Sequence, residues 1–414
     1  MNDRMKASSP LSSSACVGVA VVLSLCIFHA DSVARTLRVG PSRTYTTVRD
    51  ASQATQDGDT VLVDAGVYSA DVTEWTSNNL VVRGVGGRAY MRSDGVVEQD
   101  KGIWVFYGTN FTAENIEFSG AASVSGWNGA GIRFDTPGNL VLRNCYFHDN
   151  EDGILGGADS ILIEYSVFDH NGHGDGQSHN MYVHGRSFTI RYSYTHRAWI
   201  GHNIKTRARN NYILYNRIMD EADGESSYSI DIPDCGRSYV IGNVIEQGPS
   251  SVNSSMLAYG MESQLGVNDL YVMSNTLVNN LGSGTFMRLR AGSIVKAMNN
   301  IFYGPGTYWS SGSTVTESSN YFEPSFNNSP RFANPAAYDF HLTSISPSSV
   351  LNAGALPGIS STGYILTPTS QYVYDAQGKT RSLLGLLDLG AFEYTAPGGP
   401  DVAYPAPIRD LRYR

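Results

Sequence analysis

The sequence predicts an all-β solenoid, and three observations predict it. Short apolar strands recur in a shared register along most of the chain. One small polar residue returns at the same place in each recurrence. The composition suits tightly turned, packed strands, with 43 Gly and 25 Tyr but only 16% charged residues among 414. Low charge with many aromatics argues against disorder, and a long coiled coil would need Ala, Glu, Lys and Leu in bulk. The formal net charge of −9 lacks the basic footprint of a nucleic-acid binder, so nucleic acid is not an expected partner. It leaves room for a polyanionic substrate held by a local Arg/Lys cleft.

In chain order, residues 1–34 read as a secretory signal peptide. Arg4 and Lys6 form a basic start, residues 15–28 are apolar, and Ser32, Val33 and Ala34 are small residues before cleavage. The apolar run is short for a membrane span, and none of spanning length follows. The mature chain is therefore expected without a membrane span, either periplasmic or secreted. Cys16 and Cys26 leave with the signal, so Cys145 and Cys235 remain and no disulfide framework is expected. Residues 36–40 read as a strand. Tyr45, Val48, Ala51 and Ala54 then share one helix face, and residues 60–64 return to a strand.

The repeat follows, as strand, turn, strand, one polar residue, strand. Aligning its units stacks Cys145, Ser166, Ser193, Asn216, Asn243, Asn275 and Asn300, and Asn320 extends the column. Spacings of 20 to 32 residues, filled by strands of about five residues, mean a solenoid with no helix inside a coil. An amide at a bend can donate and accept along the stacking axis, which links each coil to the next. Residues 396–414 carry four Pro and read as a loose tail.

These features resemble the right-handed parallel β-helix, pectate-lyase-like superfamily, over roughly residues 36 to 395. The resemblance implies a single right-handed parallel β-helix solenoid over 35–395, with an N-terminal amphipathic helix as cap. Such a cap covers the core face and strand edge that a terminal coil exposes. Asp339, Ser346, Pro347, Asn352, Gly354, Asp375, Gly378, Asp388 and Glu393 belong to a C-terminal series similar to that of exported β-helix proteins of several activities. A capped β-helix of this kind is expected to be a monomer.

Aligning the first strand of each coil sends Ile132, Ile154, Met181, Ile204, Ile230, Leu257 and Met287 inward. The outward column is then Arg133, Leu155, Tyr182, Lys205, Asp231, Ala258 and Arg288. Two residues further on come Asp135, Gly156 or its neighbour, His184, Arg207, Pro233, Tyr259 or Gly260, and Arg290. Parallel coils lie about 4.8 Å apart, so Tyr182, Lys205 and Asp231 should occupy adjacent rungs beside His184 and Arg207. Base, acid and cation on one sheet face is a catalytic pattern rather than an ordinary surface. Lysine is rare, with Lys101, Lys205, Lys296 and Lys379 alone after the signal. Six of nine His, including His202, fall between 170 and 202. No HExxH or Cys/His metal spacing is present, so these His are expected in turns and along a sugar groove. The acidic run at 220–225 could hold calcium but lacks an ordered ligand alternation.

Many β-helix enzymes act on acidic polysaccharides. Uronate β-elimination needs a cation or calcium on the carboxylate, a base for the neighbouring proton, and an acid for the leaving oxygen. Arg207, Arg133, Arg288 and Arg290 could hold carboxylates, with His202 in the groove. Lys205 or His184 could serve as base and Tyr182 as acid. A lysine base needs its ammonium destabilised, and a neighbouring guanidinium does that. Residues 205–216 resemble the Lys-Ser-x-x-Asn pattern of alginate and chondroitin lyases, which implies Lys205 as base. Their next coil carries Arg-His-Gly, whereas Asp231, Ile232, Pro233 and Asp234 stand here. That stretch is similar to the Asp-Pro-His-Asp element of mannuronan epimerases, without its His. The expected activity is an exported lyase on an acidic glycan. The alternatives are a uronan epimerase, a glycoside hydrolase using Asp231 and Asp234, and a non-catalytic glycan binder.

Overall fold

The computed structural model describes residues 34–395, except 264, 265 and 384. The signal peptide and the C-terminal tail read from the sequence lie outside them. Twenty-eight strands form one continuous parallel ladder system, in which each strand pairs with its counterpart one coil away. One coil shows the plan. The strand Met181–Arg191 runs along a first sheet, bends near Gly185 into a second, and Tyr194–His196 continues in a third. The next coil repeats it with Ile204–Leu214 and Arg217–Met219. Gly185 has φ 140°, and a Cβ there would lie 1.9 Å from the Ala158 carbonyl oxygen, so the bend of this coil admits only glycine, whereas Ala158 and Ala208 hold the paired positions in the flanking coils.

The second bend is built on the expected polar column. Asn216, Asn243, Asn275 and Asn300 each donate from Nδ2 to the next Asn Oδ1, at 2.9–3.0 Å, ending on Asn320. Each also donates to a carbonyl of the preceding coil, as Asn243 does to Ile213 at 2.8 Å. Ser193, Ser166 and Cys145 extend the line toward the N-terminus through backbone and hydroxyl bonds. The preceding residue is left-handed, and Tyr165, Tyr192 and Tyr215 hold that conformation in a stacked file with centroids 5.4 and 5.7 Å apart.

A second ladder was not legible in the sequence. Asn150, Asn171, Asn180 and Asn203 link by side-chain bonds of 2.8–2.9 Å, and Asn203 donates to Asp220 at 3.0 Å. Successive members are 21, 9, 23 and 17 residues apart, because some come from loops and others from strand starts. Asp220 is fully buried here and also accepts from Ser226 and Ser251, so this member of the acidic run turns inward and is not free for calcium. Inside the coils, Phe118, Phe147 and Phe168 stack with centroids 4.9 and 4.7 Å apart. Cys145 and Cys235 are buried and unpaired.

The helix Val48–Ala54 covers the N-terminal end of the core. Thr47 caps it by accepting from the Asp50 N–H, and Val48 and Ala51 are buried while Tyr45 and Ala54 pack beside them. At the other end, residues 331–394 fold back over the outer faces of the later coils. Phe332, Phe340, Val350 and Phe392 bury there against Met219, Val244, Val278 and Tyr303. The C-terminal acids hold this layer. Arg381 is buried with Glu393 at 2.7 Å, and Asp388 accepts from the Asn352 and Tyr394 N–H groups, both at 2.7 Å.

Candidate active site

The seven residues expected to face inward along the first sheet are all buried. The register of the residues between them is continuous. Arg133 pairs with Leu155, Leu155 with Tyr182, Tyr182 with Lys205, Lys205 with Asp231, Asp231 with Ala258, and Ala258 with Arg288. In the neighbouring column, Gly157 rather than Gly156 lies between Asp135 and His184, and His184 pairs with Arg207.

Tyr182, Lys205 and Asp231 thus sit on three successive rungs. Lys205 Nζ lies 3.7 Å from Asp231 Oδ2, 3.5 Å from Glu262 Oε1 and 5.0 Å from the Tyr182 ring centroid. Arg207 joins the same group from the adjacent column. Its Nε donates to Tyr182 Oη at 2.6 Å, Nη1 donates to Asp234 at 2.6 Å, and Nη2 pairs with Glu262. Because Tyr182 Oη accepts from Arg207, its own proton is free to be given to another group. Asp234 also accepts from Ser263 Oγ at 2.6 Å.

Asp231 faces outward by alternation, yet its side chain is only 4% exposed. Burial pushes its carboxyl up to about 6, with Lys205 pulling down and Glu262 pushing up. Behind it stand two stacked imidazoles, His179 and His202, with centroids 4.5 Å apart. Burial, reinforced by Lys205, lowers His202 to about 3, so the ring is neutral. His202 Nδ1 accepts from the Tyr228 N–H at 3.2 Å, which leaves the ring proton on Nε2, 3.5 Å from Asp231 Oδ2. His179 is likewise driven well below its ordinary value, first by burial and then by His202, and its Nδ1 accepts from the His202 N–H. His202, expected along the groove, is 7% exposed and lies beneath Asp231.

The remaining expected residues divide. His184 turns away from Lys205 and lies 3.2 Å from Asp135, which also holds Arg133 at 2.9 Å. That group lies toward the N-terminal end of the same face. Arg288 donates to Tyr228 Oη at 3.1 Å and Arg290 to the Gly260 carbonyl at 3.0 Å, both beyond Asp231. Glu262 was not expected. It reaches Lys205 and Arg207 from a loop after the strand Ser255–Tyr259, 57 and 55 residues along, and no sequence spacing signals that return. Among the described residues, no group of three or more His, Cys, Asp or Glu could hold a metal ion. No helix among them is long and apolar enough to cross a membrane.

A separate groove lies away from this cluster. It opens over the third sheet, with a volume of about 1460 Å³. On the first sheet, by contrast, acid, phenol and cations converge on adjacent rungs.

No protein-family model matches the chain. No curated protein matches it either. Among solved structures, pectate lyase Pel9A is similar with a TM-score of 0.59, 14% identity, and coverage of 88% of this chain and 97% of that one. The pectin methylesterase from Aspergillus niger is also 14% identical, covering 80% of this chain and 93% of that one, but its TM-score of 0.27 carries no argument. At such identity the likeness is one of fold, and the chain is a right-handed parallel β-helix of the kind seen in pectate lyase Pel9A.

Proposed function

We propose that the protein is an exported polysaccharide lyase that cleaves an acidic, uronate-containing glycan by β-elimination on its first sheet. The observation that carries this reading is the run of Tyr182, Lys205 and Asp231 on successive rungs, with Arg207 donating to Tyr182 and Glu262 bridging Arg207 and Lys205. The Pel9A-like fold supports it, and residues 1–34 would direct export. Lys205 and Arg207 meet the uronate carboxylate and stabilise the negative charge that develops when the neighbouring carbon loses its proton. Asp231 takes that proton, which suits a carboxylate tuned to about 6 better than the ion-paired Lys205. The electron pair forms the carbon–carbon double bond, the glycosidic oxygen departs, and Tyr182 protonates it. Water then restores the Tyr182 proton, and Asp231 releases its own to solvent.

Ultraviolet absorbance of the purified protein mixed with a panel of uronate polysaccharides, with and without calcium, tests this. Unsaturated uronate ends should accumulate on one of them. Absence of any rise across the panel would exclude the lyase. A base must be unprotonated, so kcat/KM should climb as pH rises through about 6 and level above it. A pH-independent rate between pH values of about 5 and 7 would remove Asp231 from the base role.

One observation favours a second reading. Glu262 joins Asp231 and Asp234 around the two cations, and glycoside hydrolysis runs on paired carboxylates. Release of reducing ends with no change in absorbance would assign that chemistry.

A further inference from the structure

The first-sheet face extends past the Lys205 cluster toward the N-terminal end, and a braced loop stands at its edge there. Residues 121–129 lead into the strand Ala130–Asp135, whose Arg133 lies three rungs before Lys205 in the outward column. Carboxylates from the two neighbouring coils clamp this loop. Asp100, from the coil before, accepts from the Val124 and Ser125 N–H groups at 2.6 and 3.1 Å. Glu151, from the coil after and 3% exposed, accepts from the Ser123 and Gly129 N–H groups at 2.8 Å and from that of Trp127. Asn128 ties the loop to the sheet. Its Nδ2 donates to the Asp100 carbonyl at 2.9 Å, and its Oδ1 accepts from Arg133 Nη1.

The clamp presents Trp127. This residue is 63% exposed, more than any other Trp, Tyr or Phe among the described residues. Its backbone is left-handed, with φ 61°, which strains a bulky residue. The bond that Glu151 makes to it runs to its backbone and leaves the indole to solvent. A single exposed apolar side chain is ordinary on a protein surface. A tryptophan kept in strained backbone at the centre of a loop braced from two coils is not, since folding alone would favour glycine there.

Placement decides what the indole meets. Tyr182, Lys205 and Asp231 follow one another along the coil axis, so a glycan that meets all three runs along that axis. In the proposed elimination Tyr182 protonates the departing oxygen, and Tyr182 lies on the Arg133 side of Lys205. The departing segment keeps that oxygen on its anomeric carbon and becomes the new reducing end, so it extends toward Trp127. Three rungs separate Arg133 from Lys205, roughly 14.4 Å or about three sugar residues.

We propose that Trp127 is a substrate-binding residue that stacks on a sugar of the departing segment, about three residues from the cleaved bond. The proposal rests on the lyase reading for the substrate and for the direction of the chain. The flat indole matches the C–H face of a pyranose ring, so this site rewards chain length rather than charge.

A trimer and a heptamer of the uronan that the protein cleaves test it, because a trimer is cleaved without reaching Trp127. The wild type should show a higher kcat/KM on the heptamer than on the trimer. Trp127→Ala should lower the heptamer value by about tenfold and leave the trimer value unchanged. Trp127→Phe, which keeps a ring, should recover part of the loss. Trp127→Gly removes both the ring and the strain, so it should raise the denaturant midpoint while losing the heptamer preference. The proposal is overturned when Trp127→Ala cleaves the heptamer as well as the wild type does, or when trimer and heptamer values fall alike. The lyase reading fails separately, when no uronan yields unsaturated ends. Calorimetric titration of the wild type and Trp127→Ala with the uronan heptamers then decides the site: weaker binding by the variant supports it, and equal binding, or none by either, overturns it.

Discussion

Replacing Lys205 with alanine is expected to lower kcat/KM on the uronan substrate by about 10²–10³-fold, the usual cost of removing one preorganised group that meets developing charge. The loss has a second, diagnostic part. Lys205 pulls the Asp231 carboxyl down, whereas burial and Glu262 push it up. Without Lys205 the acid limb of the residual activity should move above about 6. Lys205→Arg restores the charge but not the compact ammonium, so it should recover part of the rate and return the limb toward its original place. If Lys205 were the base, arginine would be as inactive as alanine, because a guanidinium stays protonated. A binding protein with no chemistry would lose little affinity in any of these variants. Steady-state rates across pH for the three forms separate these outcomes.

Asn243→Ala should destabilise the fold by about 3–9 kcal/mol, with no glycan involved. Asn243 donates to the Ile213 carbonyl and to Asn275 Oδ1, and accepts from both the backbone N–H and Nδ2 of Asn216. All of these groups are buried, and water cannot reach them in the variant. Two donors and one acceptor would be left unsatisfied at about 1–3 kcal/mol each. Against a total stability of about 5–15 kcal/mol, that is a large share. Asn320 ends the same ladder and is partly exposed, so Asn320→Ala should cost only about 1–2 kcal/mol because solvent replaces the lost partners. Denaturant midpoints of the two variants measure the contrast. Equal costs would mean that the ladder is not a stabilising element of the interior.

The sequence by itself determined the solenoid. Strand periodicity and the column from Cys145 to Asn320 follow a rule that each coil repeats, so the register could be read without coordinates. That register carried Tyr182, Lys205 and Asp231 to adjacent rungs, because alternation and coil spacing are properties of the backbone alone. The helix Val48–Ala54 was legible in the same way, as one apolar face through Tyr45, Val48, Ala51 and Ala54. Tertiary structure decided whatever a loop brings back from another coil. Glu262 returns beside Lys205, His202 sinks beneath Asp231, and His184 turns to Asp135, none of which a repeat dictates. The second ladder, with steps as unlike as 9 and 23 residues, lay hidden because loop lengths vary while the spatial rise does not. The third-sheet groove exists because the C-terminal layer covers some coils and leaves others open. Local periodicity fixes how strands stack, but only long-range packing fixes which faces are covered and which side chains a loop sets together.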